Sequence, residues 1–252
     1  MRRQKQKPRS SHKPNVQQEQ WVAPRERDRP KPISLDQLIT IDPLSKNQEE
    51  VFTSWDEGYH LALVGSAGTG KTFLAIYMAL ELVMDKSTPY DSVKILRSIV
   101  PVRDPGHLPG TLDDKIEIFN APYKAICSEL FESSTAYGRL VENKYVSFES
   151  TSFIRGVTID NAIIIVDEMQ NLNFHELDSV ITRVGQDSRI IFCGDYNQTD
   201  FKLTKESNGI NQFLAIIHQM NSFRTITFTW EDICRSDFVR DYIMTKEWME
   251  SK

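Results

Sequence analysis

An eight-residue string, Gly65-Ser66-Ala67-Gly68-Thr69-Gly70-Lys71-Thr72, does most to limit what this chain can become. It fits the pattern G-x-x-x-x-G-K-[ST], and its surroundings suit it. Upstream, His60-Leu61-Ala62-Leu63-Val64 is a short apolar run of buried-strand type. Downstream, Phe73, Leu74, Tyr77, Leu80 and Met84 recur at helical spacing. A glycine-rich turn between a strand and a helix lets successive backbone N–H groups curl around an anion. The helix N-terminus adds positive partial charge. Lys71 then reaches the β- and γ-phosphates of a nucleotide, and the Thr72 hydroxyl is a magnesium ligand. The alternative is a glycine-rich turn with an exposed lysine.

Around this string the chain alternates two hydrophobic periods. Ser45 with Gln48 three residues on reads as a capping box opening a helix to about Trp55, and Gly58 ends it. Strands are expected at 60–64, 93–97, 145–148, 162–166, 188–193 and 225–228. Helices are expected after Thr72, over 113–131 with an interruption near Pro122, from Asn173 to about Val184, and over 210–220 and 237–249. Residues 101–110, rich in Pro and Gly, read as a loop. Strands alternating with helices predict an α/β fold with a parallel sheet covered on both faces.

Charge divides the chain unevenly. Residues 1–32 hold ten basic against three acidic side chains, a formal +7, which leaves −12 on the remainder of a chain whose total is −5. That segment also carries five prolines and no apolar period, so residues 1–33 are expected to form a disordered basic arm, and 34–252 one folded domain. The arm is either a solvated tail or a nucleic-acid-binding element. The acidic body does not resemble a nucleic-acid binder by net charge, so any contact surface on it must be local. Three widely spaced cysteines, Cys127, Cys193 and Cys234, suit neither zinc nor a disulfide scaffold. No apolar run approaches the roughly 20 residues that cross a bilayer, and the first residues lack an apolar signal core. The expectation is a cytoplasmic protein without a membrane span.

Further chemistry-bearing residues follow the apolar runs. The run 162–166 ends in Asp167-Glu168, which puts two acids at the carboxyl edge of a parallel sheet, where ligands bind in such folds. Asp167 can hold magnesium through water, and Glu168 can orient and deprotonate an attacking water. Such pairs also occur as helix N-terminal acids. Gln198, after the run 188–193, is either a γ-phosphate sensor or part of a polar turn. Gln48 can read an adenine edge, because an amide donates and accepts together, or serve only as the capping partner; both can hold.

Several segments in order resemble the PhoH-like ATPase family over residues 34–245: Lys46-Asn47-Gln48, GSAGTGKT, ILRSIVPVRDPGHLPGTLDDKIEIF, SFIRGVTIDNAIIIVDEMQN and ITRVGQDSRIIFCGDYNQTDF. The resemblance implies a P-loop NTPase with a RecA-type parallel sheet flanked by helices on both faces, similar to the first motor domain of superfamily-one helicases. It implies ATP and magnesium as ligands. Lys71 and Thr72 match the phosphate-loop residues, Asp167 and Glu168 the metal and water pair, Gln170 the glutamine of that motif, and Gln198 the sensor. Arg235 matches an arginine that stabilises γ-phosphate charge. The resemblance also implies a homo-oligomeric, hexameric ring and an association with phosphate starvation. One motif set in the body leaves that arginine to come either from a neighbouring subunit, with Arg183 the fallback, or from the same chain, as in a monomer whose Arg235 reaches its own nucleotide.

The leading expectation is an ATPase acting on RNA or single-stranded DNA, a helicase-like remodeller. Arg97, Arg103, His107, Lys115 and Arg155 are its candidate contacts, each also readable as ordinary surface charge. The competing classes are a nucleotide-gated interaction module with little turnover and a small-molecule kinase. The Asp-Glu pair favours water over a small-molecule acceptor. A switch GTPase is disfavoured, because Asn143-Lys144-Tyr145-Val146 lacks the acid that would read guanine.

Overall fold

The computed structural model describes residues 32–98, 112–151, 154, 156–195 and 205–250, with backbone only for 112–116 and 205–208. Its centre is a six-stranded sheet: β1 (His60–Gly65), β2 (Ser92–Arg97), β3 (Val146–Ser150), β4 (Ala162–Val166), β5 (Arg189–Asp195) and β6 (Phe223–Phe228). The spatial order is β3-β2-β4-β5-β1-β6, and every pairing is parallel. Parallel neighbours need crossovers, and among the described residues seven α-helices supply or flank them. These are α1 (Lys46–Asp56), α2 (Lys71–Met84), α3 (Leu112–Leu130), α4 (Ala136–Glu142), α5 (Phe174–Ile181), α6 (Lys205–His218) and α7 (Asp237–Glu250).

The period of two along each strand divides the core. Leu61 and Leu63 of β1 and Ile163 and Ile165 of β4 join the core that holds α1 to α4. Ala62 and Val64, and Ala162, Ile164 and Val166, turn to the other face, against Leu177 and Val180 of α5 and Phe213 and Ile217 of α6. All of β4 is buried, as expected of an Ile/Val run covered on both sides. Among the described residues, no helix is long and apolar enough to cross a membrane.

Four local findings differ from the sequence expectations. α3 runs through Pro122 without interruption. The carbonyl that loses its partner there belongs to exposed Ile118, while buried Tyr123, Cys127 and Leu130 recur along one face and hold the helix to the core. α4 was not expected; its apolar residues are too few to show a period, and buried Ala136, Tyr137 and Leu140 anchor it. In α1, Ser45 Oγ accepts from Gln48 N–H as anticipated, but the Gln48 side chain accepts from Leu44 N–H at 2.8 Å, one residue earlier than a capping box requires. Ile33, assigned to the end of the basic arm, is buried at 3% exposure in the core. Residues Met1–Lys31 of that arm lie outside the described residues.

Candidate functional site

The sheet topology brings the chemistry together at one edge. β1 delivers the glycine-rich loop, β5 lies beside it, and β4 with its acidic pair is next in line. Gly65 has φ +121°, and any side chain there would run into the Phe228 carbonyl of β6. The loop therefore starts with the backbones of two strands in contact, which only glycine permits.

Lys71 is buried at 5% exposure, the first residue of α2. Its Nζ donates to Ser66 O at 2.7 Å and Gly65 O at 3.2 Å, and pairs with Asp195 Oδ1 at 2.7 Å. Asp195 is the last residue of β5, so the ammonium already spans the loop and the neighbouring strand end. Next along α2, Thr72 Oγ donates to Asp167 Oδ1 at 2.8 Å. The other carboxylate oxygen, Oδ2, accepts from the Tyr123 hydroxyl at 2.9 Å. Burial first, and the Asp167 charge second, push the Tyr123 phenol up, so it stays a hydrogen donor at any working pH. Sequence reading missed Tyr123, because a tyrosine on the apolar face of a helix looks like core.

Glu168 follows at φ +53°, in the left-handed region that few non-glycine residues adopt. Asn171 N–H holds its carbonyl at 2.9 Å, within a turn of 3-10 helix, Met169–Asn171. Gln170 Nε2 donates to the Glu168 carboxylate, while Gln170 Oε1 accepts from Asp195 N–H at 3.1 Å. One amide thus fixes the carboxylate and ties the ends of β4 and β5 together. Burial, then the neighbouring Asp167 charge, raises the Glu168 carboxyl above the usual glutamate range, and Arg97 opposes this.

Arg97 had been expected at a nucleic-acid surface. Its guanidinium stands 3.9 Å from Glu168 Oε1 and 5.6 Å from the centre of the Phe119 ring. A base works only when ionised, so a raised pKa moves the acid limb of activity upward. Loss of Arg97 removes the opposing charge. Arg97→Gln is therefore expected to move the acid limb of the rate–pH profile further toward neutral, with the alkaline limb unmoved. An acid limb at or below its original position would contradict this role.

Gln48 is buried at 4% exposure. Its Nε2 donates to Thr69 O at 3.2 Å and to Cys234 Sγ at 3.4 Å, bracing the loop. Reading an adenine edge would require it to exchange these bonds and the one from Leu44. The loop's far side is covered by Arg235. A methyl group at Gly68 would stand 3.0 Å from Arg235 Cγ and 3.5 Å from its Nε. Cys234 N–H donates to Gly68 O at 3.0 Å. Arg235 thus lies on the loop of its own chain, the second of the two placements that the sequence left open. Arg183 sits at the opposite sheet edge, its carbonyl accepting from Ile159 N–H ahead of β4. Gln198, Arg103, His107 and Arg155 lie outside the described residues, as does the side chain of Lys115.

The donor set suits a hard cation. A threonine hydroxyl and a carboxylate 2.8 Å apart offer oxygen only, and phosphate and water oxygens complete a magnesium shell in such sites. A buried lysine in a glycine-rich cradle suits the phosphates themselves.

The fold and this edge define the class: a P-loop NTPase with a RecA-type sheet. Residues 40–246 match the family model described as PhoH-like protein, and the chain belongs to that family. It is similar to the protein PhoH2 of Bacillus subtilis, 36% identical over 155 residues that cover 60% of this chain and 35% of that one. It is also similar to a PhoH-like protein of Synechocystis, 30% identical over 189 residues, 75% of this chain and 56% of that one. The chain thus spans between about a third and three fifths of the length of the first curated relatives it matches. Among solved structures, the large terminase of a thermophilic bacteriophage is similar over 80% of this chain and 50% of its own, with a TM-score of 0.46 and 13% identity.

Proposed function

We propose that the chain hydrolyses ATP with magnesium, and the join between the Thr72 hydroxyl, Asp167 and the adjacent Glu168 is the observation that carries the reading. Magnesium held by Thr72 and, through water, by Asp167 would neutralise phosphate charge. Lys71 exchanges the Asp195 carboxylate for phosphate oxygens, so the buried ammonium keeps an anionic partner throughout. Glu168 takes the proton of the water that attacks the γ-phosphorus, and the bond that breaks is the one to the ADP oxygen. Tyr123 and Gln170 hold the two carboxylates in place, and Arg235, over Gly68 of the same chain, faces the charge that develops on the γ-phosphate. An acid pair of this kind makes water the acceptor, which argues against a kinase.

The proposal extends to RNA or single-stranded DNA as the polymer acted on, in a cytoplasmic setting. The charge distribution supports it: a +7 segment precedes a −12 body, and basic side chains that neutralise phosphates release counterions. Nucleic acid is expected to stimulate ATP turnover. Removing residues 1–32 should weaken binding to single-stranded RNA and flatten its dependence on salt, with intrinsic turnover retained, as read from titrations across a salt series. An unchanged slope would assign the segment to another partner, and negligible turnover would leave a nucleotide-gated module. A ring remains the proposed assembly. With Arg235 on its own loop, a neighbouring subunit would have to complete the site with a different group.

A further inference from the structure

No residue of α7 is buried, yet the helix is attached along one face. Arg240, Ile243, Met244 and Glu247 are its half-buried positions, at helical spacing, while the rest are exposed. That face lies on the phosphate loop. Ile243 Cδ1 stands 3.5 Å from where a Gly68 methyl would be. Glu247 Oε2 accepts from Ser66 Oγ at 2.9 Å and from the Trp230 indole N–H. Ser66 is the second residue of the loop, and Trp230 opens the 3-10 turn Trp230–Asp232 that leads to Arg235. One carboxylate oxygen therefore joins loop, turn and helix.

Arg235 lies between these tied points and is itself exposed. A free arginine side chain samples many rotamers, and its charge aids a transition state only if it is held in place beforehand. The turn is fixed at its base by Asp232, whose Oδ2 accepts from Asn47 Nδ2 and Thr229 N–H, both at 2.7 Å. Next to Arg235, Cys234 N–H bonds Gly68 O at 3.0 Å, and beyond it the α7 face and the Glu247 clasp bear on the loop. A carboxylate beside a polyphosphate site repels the ligand by charge, so its presence there calls for an account of position.

We propose that Glu247 is a positioning residue for nucleotide hydrolysis: by accepting from Ser66 and Trp230 it holds α7 and residues 230–235 on the phosphate loop and so fixes the Arg235 guanidinium. The proposal rests on the reading of Arg235 as the charge-stabilising group.

A double-mutant cycle on the full chain tests it, with kcat and KM for ATP measured separately. Glu247→Ala is expected to lower kcat about tenfold or more with a smaller change in KM, as expected when a transition-state contact is misplaced. Glu247→Gln keeps an acceptor for both donors and should recover most of the rate. Trp230→Phe removes one donor and should fall between them, which keeps the test usable if Glu247→Ala folds poorly. In an Arg235→Ala background, Glu247→Ala should change kcat by no more than about twofold, because coupled residues do not add. Additive losses would overturn the proposal while leaving Arg235 in its role. A gain in ATP affinity or turnover on removing Glu247 would also overturn it, since the carboxylate would then act as a guard. Full turnover in Arg235→Ala would remove the reading beneath it.

Discussion

Glu168→Gln is expected to bind ATP as the unaltered chain does and to hydrolyse it about 10²-fold more slowly, or worse, which is the usual contribution of a positioned general base. The substitution is nearly isosteric and removes only the basic oxygen. Gln170 can still bond the new side chain, so the turn Met169–Asn171 and the left-handed backbone at residue 168 should persist. The phosphate cradle, Lys71 and the Thr72–Asp167 pair are untouched. Loss of one negative charge beside the phosphates can only help ATP to bind. Equilibrium binding of a fluorescent ATP analogue, set against phosphate release, separates the two effects. Normal turnover in the variant would mean that another group takes the proton.

The largest structural effect is expected at Gly65. Alanine there must keep φ near +121°, outside the left-handed region that side chains tolerate, and its methyl would meet the backbone carbonyl of Phe228. That carbonyl cannot swing away, because it accepts from Ser66 N–H at 3.2 Å and sits in the β1–β6 pairing. Backbone strain of this kind costs about 1–3 kcal/mol, and the displaced pairing adds to it. Gly65→Ala is thus expected to lose on the order of 3 kcal/mol or more, with nucleotide binding lost as well. A urea midpoint close to that of the unaltered chain would show that the loop accommodates a side chain.

β1, β4 and β5 were legible because each contains a short apolar run, and β4 with its Asp167-Glu168 ending was legible down to the residue. Asn173, with Glu176 three residues on, placed the start of α5 equally well, whereas its end came at Ile181 and not at about Val184. Strand order was not legible, since parallel neighbours are joined through long crossovers and nothing local in β5 says that it lies between β1 and β4. Pro122 misled for a related reason: its local preference is outweighed by the burial of Tyr123, Cys127 and Leu130, which depends on what α3 packs against. The phosphate loop and the acid pair could be named from spacing alone. Their supports could not. Tyr123, Asp195 and Glu247 reach the site from 44, 124 and 181 positions away from the residues they bond. Arg97 and Arg235 carry charges whose partners only the folded sheet edge reveals: Arg97 meets Glu168, and Arg235 meets its own chain's Gly68.

We propose Lys71, Thr72, Asp167 and Glu168 as one magnesium-dependent site for ATP hydrolysis. Phosphate release from ATP by the purified full chain, followed while magnesium is titrated in from excess chelator, tests it most directly. The expected result is no release without the metal, saturable release as it is added, and loss of that release in Lys71→Ala together with weakened ATP binding. Bound ATP that is never hydrolysed at any magnesium concentration, or hydrolysis indifferent to the metal and to Lys71, would contradict it.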